Sequence, residues 1–395
     1  MIAQKYELHA ILITALLIFF FERIIMKRLL IVTNQPAPYR VDFFIYLQEK
    51  YGSDFDIWVL FSTGNESSDR KWKADEDRLK NKVFLKSKVI KLRSSFDTSE
   101  KILTYGATRE LNRIRPDMVI CSEYNFTVLI VKHWCNVHKV PFISWTDGTR
   151  FSERHIKPHQ KLFRKYVIKN SAGFIASSTA SKENQIFLGA DPGRIFISEL
   201  AVDIRRFENA GKKYVPNNTL IAVGGLIERK GIDLLLKALA LISEVDWELK
   251  LVGDGPEASA LKSLAADLGI LDRIEFCGFL SGDALIEAYE SSGVFVFPTR
   301  EDCFGLVTLE AMCCALPAVV SKYADSSYDL LENLESGVII DPYDSEKFAA
   351  VLKKILIDDS LKISMSQKAK AKSYEFSFVN TAPPFIEAAR NALKH

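Results

Sequence analysis

Two acidic side chains, separated by seven residues, follow an apolar run of the sequence. The run at residues 293–298 is short and β-rich enough to be a buried strand. Asp302 lies in the loop after it, and Glu310 lies about one turn inside a helix that begins at Leu306. A strand, loop and helix in this order direct unpaired backbone N–H groups at a ligand above the sheet, which favours phosphate. Carboxylates beside an anion site are expected if they bind sugar and ribose hydroxyls, although an ordinary capped helix gives the same local pattern.

Two glycine-containing loops at predicted strand ends supply positive charge and room for a phosphate. Residues 224–231 read GGLIERKG, in which the glycines permit close backbone approach and Arg229 and Lys230 are cations beside a helix N-terminus. A second loop, GDG at residues 253–255, follows the next predicted strand. Such a cradle would stabilise a departing diphosphate without a metal ion. The competing interpretation is a basic capped turn with no ligand.

These motifs resemble those of the retaining family 4 glycosyltransferases, which have the GT-B fold. Residues 302–311, DCFGLVTLEA, are similar to the family's pattern of two glutamates with Phe-Gly after the first. Lys230 matches the lysine of the family's glycine-rich motif. The resemblance covers most of residues 26–395 and is specific at residues 223–320.

Three positions depart from the family's pattern. The first acid is Asp302, preceded by Glu301, so either carboxylate could contact the donor sugar. Gly225 stands where the family usually has arginine, and Arg229 could compensate from the same loop. Asp147 lies close to the point where the family commonly has a histidine facing the donor sugar. It could bind a sugar hydroxyl or accept a proton from the acceptor, and the competing interpretation is a simple Asp-Gly turn.

The resemblance implies a role for each motif residue. Glu310 would hold the ribose hydroxyls, and Asp302, with Glu301, would hold the outer hydroxyls of the sugar. Lys230 and Arg229 would stabilise the diphosphate, together with backbone amides near residue 305. The other residues predicted to contact the donor lie in the same loops or at strand ends: Gly224, Gly225, Gly253, Asp254, Gly255, Phe279, Phe304, Gly305, Leu306 and Val307.

The acceptor is expected on the first half of the chain. Residues 34–40 form a proline-containing loop after the first good strand, so Tyr39 and Arg40 are candidate acceptor contacts, with a stiff structural turn as the alternative. Residues 154–169 are markedly basic with interleaved apolar side chains. They could rest on an anionic membrane surface, although a solvated helix with an apolar core face is the commoner meaning of this pattern.

Length and composition bound the class of protein. A chain of 395 residues is expected to form about two domains. Its 52 basic and 50 acidic residues give a net charge of +2, so nucleic acid is not a favoured partner. The six cysteines show no metal-binding spacing and lie mostly in apolar segments, which is typical of a reducing compartment.

The alternation of strands and helices predicts an α/β protein of two doubly wound Rossmann-like domains facing a central cleft. We expect an apolar arm at residues 1–25, an acceptor-side domain at 26–202 and a nucleotide-sugar domain at 203–375. Residues 376–395 are expected to pack back on the first domain, as in the GT-B fold. The arm is either a short membrane-seeking helix or upstream sequence read from an unused start codon. A strand is predicted at residues 83–92, and a final helix at residues 375–393 is predicted to be interrupted by Pro383 and Pro384.

The resemblance implies a retaining hexosyltransferase that needs no cofactor or metal and uses a nucleotide sugar as co-substrate. Its acceptor would be a glycan or a lipid-linked sugar, in cell-surface polysaccharide synthesis on the cytoplasmic side of the membrane. A nucleotide-sugar epimerase of the same fold and a non-catalytic partner subunit remain the alternatives. A dinucleotide oxidoreductase is disfavoured because no Gly-x-Gly-x-x-Gly motif opens either half.

Overall fold

The computed structural model describes residues 26–64, 74–93, 96, 98–331 and 335–394. The predicted apolar arm at residues 1–25 lies outside these ranges. Within them, no helix combines the length and the apolar composition that crossing a bilayer requires.

The first half is built on a parallel sheet. Its described residues form these strands: β1 (Lys27–Thr33), β2 (Phe55–Phe61), β3 (Lys82–Phe84), β4 (Lys86–Arg93), β5 (Thr98–Tyr105), β6 (Met118–Ser122), β7 (Phe142–Thr146), β8 (Gly173–Ala176) and β9 (Ile195–Ile197). Its α-helices are α1 (Pro38–Tyr51), α2 (Ala107–Ile114), α3 (Phe126–His138), α4 (Pro158–Lys169) and α5 (Thr179–Phe187). Seven of these strands form one sheet in the order β3-β2-β1-β6-β7-β8-β9.

Both faces of this sheet are buried because its strands are apolar at consecutive positions. Leu29 and Ile31 of β1 pack in one hydrophobic cluster with α1, whereas Leu30 and Val32 pack in another with α2 and α3. Side chains of a strand alternate between faces, so a continuous apolar run supplies two cores. The predicted doubly wound arrangement is therefore confirmed for the first half.

The predicted strand at residues 83–92 is wrong in its detail. The chain leaves the main sheet after β3, and β4 pairs with β5 in a separate antiparallel hairpin. Leu85, between β3 and β4, is buried in the same hydrophobic cluster as Leu30 and Val32, and its backbone N still donates to the carbonyl oxygen of Phe61 at the end of β2. The sequence gives no sign of this break, because apolar and basic residues are mixed on both sides of Leu85.

The second half forms a second parallel sheet. Its strands are β10 (Thr219–Val223), β11 (Glu248–Val252), β12 (Ile274–Gly278), β13 (Val294–Phe297), β14 (Ala318–Ser321) and β15 (Gly337–Ile340), in the order β12-β11-β10-β13-β14-β15. Its helices are α6 (Ile232–Ala240), α7 (Ala258–Asp267), α8 (Asp283–Glu290), α9 (Leu306–Cys313), α10 (Ser327–Leu330), α11 (Ser345–Leu356), α12 (Asp359–Ser373) and α13 (Phe378–Ala392). Here too, adjacent residues of the central strands pack in two different clusters.

The final helix, α13, packs against the first sheet. The ring of Phe385 lies 5.4 Å from that of Phe43 and 5.2 Å from that of Trp145. The predicted interruption at Pro383 and Pro384 is wrong, because α13 runs through both prolines. Burial of its apolar face on the first sheet offsets the cost of the lost backbone hydrogen bonds, about 3 kcal/mol for a proline in a helix interior.

Candidate active site

The loops that carry the predicted donor residues leave neighbouring strands of the second sheet. Strand β10 lies between β11 and β13, and all three run in the same direction. The basic loop follows β10, the GDG loop follows β11, and the acidic loop follows β13. The three loops are therefore neighbours at the carboxyl edge of the sheet, where open α/β sheets bind their ligands.

Two cations of the basic loop contact the first acid. The Nζ atom of Lys230 lies 2.6 Å from Oδ2 of Asp302, and Nη1 of Arg229 lies 3.3 Å from the same oxygen. Arg229 also donates to the carbonyl oxygen of Glu301 at 2.9 Å. Burial raises the pKa of Asp302, but Lys230 and then Arg229 outweigh this effect and hold it below its usual value. Asp302 is therefore ionised and is shared by two cations.

Glycines hold the first two loops together. A Cβ atom on Gly253 would lie 1.9 Å from the carbonyl oxygen of Gly224, and one on Gly255 would lie 2.2 Å from that of Leu226. Gly253 also has a φ of +138°, a conformation that other residues rarely adopt. The stem of Lys230 lies over Gly224, because a Cβ atom there would be 3.6 Å from the Lys230 Cε. Close packing of the loops therefore requires these glycines; their contact with substrate stays a prediction.

The remaining residues of this edge surround the same loops. The backbone N of Leu226, the residue after Gly225, donates to the carbonyl oxygen of Asp254 at 2.9 Å. Gly278 is the last residue of β12, and a Cβ atom there would lie 3.8 Å from Oδ1 of Asp254. Phe279 follows and is half-buried. Asp254, Gly278 and Phe279 therefore lie close together at the ends of β11 and β12. The contact of Phe279 with the nucleotide base stays a prediction.

Helix α9 begins against Asp302. The backbone N of Phe304 donates to Oδ1 of Asp302 at 3.1 Å, and the Phe304 ring is buried in the core. Gly305 precedes the helix with a φ of +71°, and a Cβ atom there would lie 2.7 Å from an aromatic ring of β13. Leu306 and Val307 form the first turn and are half-buried. The electropositive end of α9 therefore adjoins the carboxylate that Lys230 contacts.

Glu310 lies one turn further along α9. The hydroxyl of Tyr289, which is fully buried, donates to Oε2 of Glu310 at 3.2 Å. Burial raises the pKa of Glu310 to about 7, although the Tyr289 hydrogen bond acts in the opposite direction. Glu310 and Lys230 lie on segments that follow the paired strands β13 and β10, so they share one edge of their half.

On the first half, Arg40 lies at the centre of a buried network. It is 5% exposed, and its guanidinium contacts hydroxyls of Thr33 at 2.6 Å and Ser122 at 2.9 Å. Its Nη2 lies 3.2 Å from Glu123 and 4.0 Å from Asp147. The predicted acceptor contact of Arg40 is untested, but these partners indicate that it orients the neighbouring carboxylates.

Tyr39 belongs to the same network. Its hydroxyl accepts from Nε of Arg40 at 3.1 Å. Burial raises the pKa of Tyr39, while the Arg40 charge lowers it. Glu123, which the sequence analysis missed as a site residue, has a φ of +68°. Such a backbone conformation is costly for a non-glycine residue and often marks a functional loop.

Asp147 links this network to the second half. Burial raises the pKa of the Cys303 thiol, and the negative charge of the nearby Asp147 carboxylate raises it further. Cys303 directly follows Asp302 in the acidic loop. Asp147 therefore lies near the acidic loop of the second half.

The two halves also touch each other directly. Contacts between described residues include the hydrogen bond of Thr149 to Asp325, the ion pair of Arg154 with Glu301, and the stacked rings of Phe151 and Tyr323, whose centroids lie 5.3 Å apart. Burial raises the pKa of Asp325 to about 6, although the Thr149 hydrogen bond opposes this shift. Glu301 is therefore engaged with the first half in this arrangement, whereas Asp302 faces the cations.

Sequence reasoning missed Asp325, Tyr289 and the partners of Glu301. Asp325 follows β14 at the same carboxyl edge, so the position of its loop was a usable signal. Tyr289 has no such signal, because an aromatic residue on an apolar helix face is typical of the core.

Comparisons with known proteins agree with this geometry. Residues 203–372 match the sequence profile of the family Glycosyl transferases group 1. A D-inositol 3-phosphate glycosyltransferase from Rhodococcus jostii is 27% identical over 244 residues, which are 57% of this chain and 54% of that protein. An uncharacterized glycosyltransferase from Haemophilus influenzae is 32% identical over 162 residues, which are 40% of this chain and 45% of that protein. The chain thus spans about half the length of such curated relatives.

Solved structures share the fold over nearly the whole chain. The structure of Anabaena Alr3699/HepE in complex with UDP covers 92% of this chain and 99% of its own, with a TM-score of 0.73 and 16% identity. The lipopolysaccharide outer core galactosyltransferase WaaB gives a TM-score of 0.69 at 17% identity, with 92% and 99% coverage. The expected two-sheet architecture and the family resemblance are confirmed: residues 203–372 match the Glycosyl transferases group 1 family, and the chain that carries them has the GT-B fold.

Proposed function

We propose that the protein transfers a hexosyl residue from a nucleotide sugar to a hydroxyl of an acceptor, with retention of the anomeric configuration. The observation that carries this proposal is the shared edge of the second sheet. There, Lys230 and Arg229 meet Asp302 beside the N-terminus of α9, and Glu310 lies one turn away. Cations, helix amides and carboxylates in one place suit a ligand with a diphosphate and two groups of hydroxyls.

When the donor binds, its diphosphate and hydroxyls would take the place of the contacts that Lys230, Arg229 and Asp302 make with one another. Its diphosphate takes the positive charge of Lys230 and Arg229 and the amides of the first turn of α9. Asp302 then accepts hydrogen bonds from sugar hydroxyls. Glu310, in its ionised form, accepts them from the ribose. The positive charge is already in place when the bond to the diphosphate breaks, so it stabilises the leaving group without a metal ion.

The acceptor would approach from the first half. In the proposed step, the acceptor oxygen attacks the anomeric carbon on the face from which the diphosphate departs. The hydroxyl proton passes to the departing phosphate oxygen, and the new glycosidic bond keeps the donor's configuration. Asp147, which lies near the acidic loop, would bind a hydroxyl of either substrate. Arg40 would hold Asp147 and Glu123 in place.

The substrates are proposed from chemistry and from the relatives. The structural relatives include complexes with UDP and with UDP-glucose, so a uridine nucleotide sugar is the first donor to test. For the acceptor we propose a glycan or a lipid-linked sugar in cell-surface polysaccharide synthesis, at the cytoplasmic face of the membrane.

A donor screen followed by product analysis tests the proposal. Thermal shifts with UDP-, GDP-, ADP-, CDP- and dTDP-sugars identify the donor, and NMR of the product made with sugar acceptors reports its anomeric configuration. We expect one donor class to stabilise the protein and the product to retain the donor's configuration. An inverted product would contradict the retaining mechanism. Epimerised sugar formed without acceptor would replace the proposal with an epimerase, and no stabilisation by any nucleotide would indicate a non-catalytic subunit.

A further inference from the structure

The hairpin of β4 and β5 presents an unusual outer face. In its register, Lys86 lies opposite Tyr105, Lys88 opposite Leu103, and Ile90 opposite Lys101. Because side chains alternate along a strand, these six residues share one face of the hairpin. Each cross-strand pair combines one lysine with one apolar residue, so the two types alternate over the surface. We call these six residues the hairpin face.

The hairpin face is open to solvent. Ile90 is 40% exposed, Leu103 37% and Tyr105 59%, and the three lysines are exposed as well. None of the six positions is acidic, so the face carries three positive charges with no carboxylate among them. Exposed apolar side chains in a group mark an interaction surface more often than single ones do.

The inner side of the hairpin fixes this orientation. The Ser87 hydroxyl donates to Thr63 at 2.7 Å, and Thr104, which is buried, lies 3.0 Å from the hydroxyl of Thr127 on α3. These bonds hold the alternate positions against the body of the first half. The hairpin face therefore points away from the body of the first half.

We propose that the hairpin face binds an anionic lipid bilayer. Lysines attract the anionic headgroups, while Ile90, Leu103 and Tyr105 enter the boundary between headgroups and acyl chains. The charge complementarity favours a membrane over a second copy of this chain, because two such faces would repel each other. The apolar half of the face favours a bilayer over a polyanion in solution, which offers no apolar contact. This inference does not depend on the proposed transfer reaction.

The hairpin also lies beside the donor loops. The carbonyl oxygen of Phe96, at the tip of the hairpin, accepts from the backbone N of Arg229 at 3.1 Å. A bilayer bound at the hairpin face would thus lie next to the cleft, where a lipid-linked acceptor could enter. Helix α4 lies within the basic segment at residues 154–169, for which the sequence left a membrane contact as the less favoured alternative, and it exposes Leu162 as its large apolar residue, at 70%. One apolar side chain makes it a weaker candidate than the hairpin face.

Vesicle co-sedimentation tests the proposal with the full chain. The probes are vesicles of phosphatidylcholine alone and vesicles with phosphatidylglycerol, at low and high salt. The test variant replaces Lys86, Lys88 and Lys101 by glutamine, and a second variant changes Ile90→Ser and Leu103→Ser. The control replaces three exposed lysines of the second half, Lys262, Lys353 and Lys354, by glutamine. A fourth variant replaces three exposed lysines of α4, Lys161, Lys165 and Lys169, by glutamine.

We expect binding to phosphatidylglycerol vesicles that weakens with salt, and a loss of about 100-fold in partition coefficient for the hairpin lysine variant. In the wild-type protein, some binding should persist at high salt, and the serine variant should lose this part. The control should bind as wild type does. Thermal stabilisation by nucleotide should be unchanged in all variants, which separates this proposal from the proposed function. Equal binding by hairpin variant and wild type, or a larger loss in the α4 variant, would overturn it. So would binding to heparin or DNA without vesicle binding, or self-association that the hairpin substitutions alter while vesicle binding stays unchanged.

Discussion

The Nζ atom of Lys230 lies 2.6 Å from Oδ2 of Asp302, so two residues predicted to bind different parts of one donor contact each other instead. Arg229 shares the same carboxylate at 3.3 Å. The positive charge that would bind a diphosphate is therefore partly neutralised before any ligand arrives. A donor must compete with Asp302 for these cations, and its sugar hydroxyls would supply the carboxylate with new partners.

Substitution of Asp302 should separate binding of the product from catalysis. Asp302→Asn removes a negative charge beside the diphosphate site, so we expect nucleoside diphosphate to bind about 5-fold more tightly. Turnover of the nucleotide sugar should fall by about 100-fold or more, because the sugar loses its carboxylate contact. Calorimetry and initial rates measure the two effects. Asp341→Asn, which removes the charged partner of Lys322, is the matched control and should change neither. Weaker diphosphate binding by Asp302→Asn would refute the proposed competition.

Glu310 should destabilise the protein above neutral pH. Burial raises its pKa from 4.5 to about 7, so the folded state binds more protons than the unfolded state between these values. The free energy of unfolding therefore falls as pH rises from 4.5 to 7, and the full penalty is present above pH 7. Glu310→Gln should be more stable than wild type by about 1–3 kcal/mol at pH 8, with the difference vanishing near pH 4.5. Urea unfolding at several pH values measures it, with Glu287→Gln on the exposed face of α8 as control. A constant difference across this pH range would show that the Glu310 pKa is not raised.

Two glycine substitutions separate crowding from backbone strain. Gly253→Ala places a Cβ atom 1.9 Å from the carbonyl oxygen of Gly224, in addition to its φ of +138°. Gly269 also has a positive φ, +68°, but the Cβ atom that Gly269→Ala adds would meet no atom within 4 Å. We expect a loss of about 1 kcal/mol of unfolding free energy for Gly269→Ala and at least about 3 kcal/mol for Gly253→Ala. Thermal or urea unfolding distinguishes them, and equal losses would mean that the two loops do not pack as described.

Arg40 should affect chemistry through the carboxylates it holds. Arg40→Met leaves Glu123 and Asp147 without their shared cation, so we expect a loss of about 3 kcal/mol of unfolding free energy. In the surviving folded protein, kcat should fall while KM for the donor stays constant, because Arg40 lies on the other half. Arg40→Lys should recover stability only in part, since a lysine cannot contact all of these groups at once. A rise in donor KM with unchanged kcat would contradict this positioning role.

The strands of the second half were predictable from sequence, whereas the β4–β5 hairpin was not. Strands such as β13 are short runs of β-branched and aromatic residues bounded by glycine or proline, a pattern typical of a buried strand. The hairpin lies in a stretch of alternating apolar and basic residues that fits a sheet strand equally well. Leu85, which lies between β3 and β4, is buried in the core of the first half, and no local pattern indicates that one strand ends there and the next begins. The helix through Pro383 is a second case, because its packing on the first sheet outweighs the local signal of the proline.

The residues of the candidate site were predictable, but their partners were not. Strand-end position and residue type pointed to Lys230, Asp302 and Glu310. The contact of Asp325 with Thr149 joins residues that lie 176 positions apart, and no local pattern indicates it. Arg40 shows the same limit: its type suggested a ligand contact, but its burial among five side chains is a property of the folded protein alone.

Calorimetric titration of one nucleoside diphosphate tests the central claim, a single donor site shared by Lys230 and Glu310. The ligand is whichever of UDP, GDP, ADP, CDP and dTDP stabilises the wild-type protein most. We predict that Lys230→Ala weakens its binding by at least about 10-fold, through loss of a charged phosphate contact. Glu310→Gln should weaken it by about 5-fold or more, through loss of a carboxylate contact to the ribose. Lys262→Ala, a control on α7, should bind as wild type does. Wild-type affinity in both the Lys230 and the Glu310 variants would contradict the account.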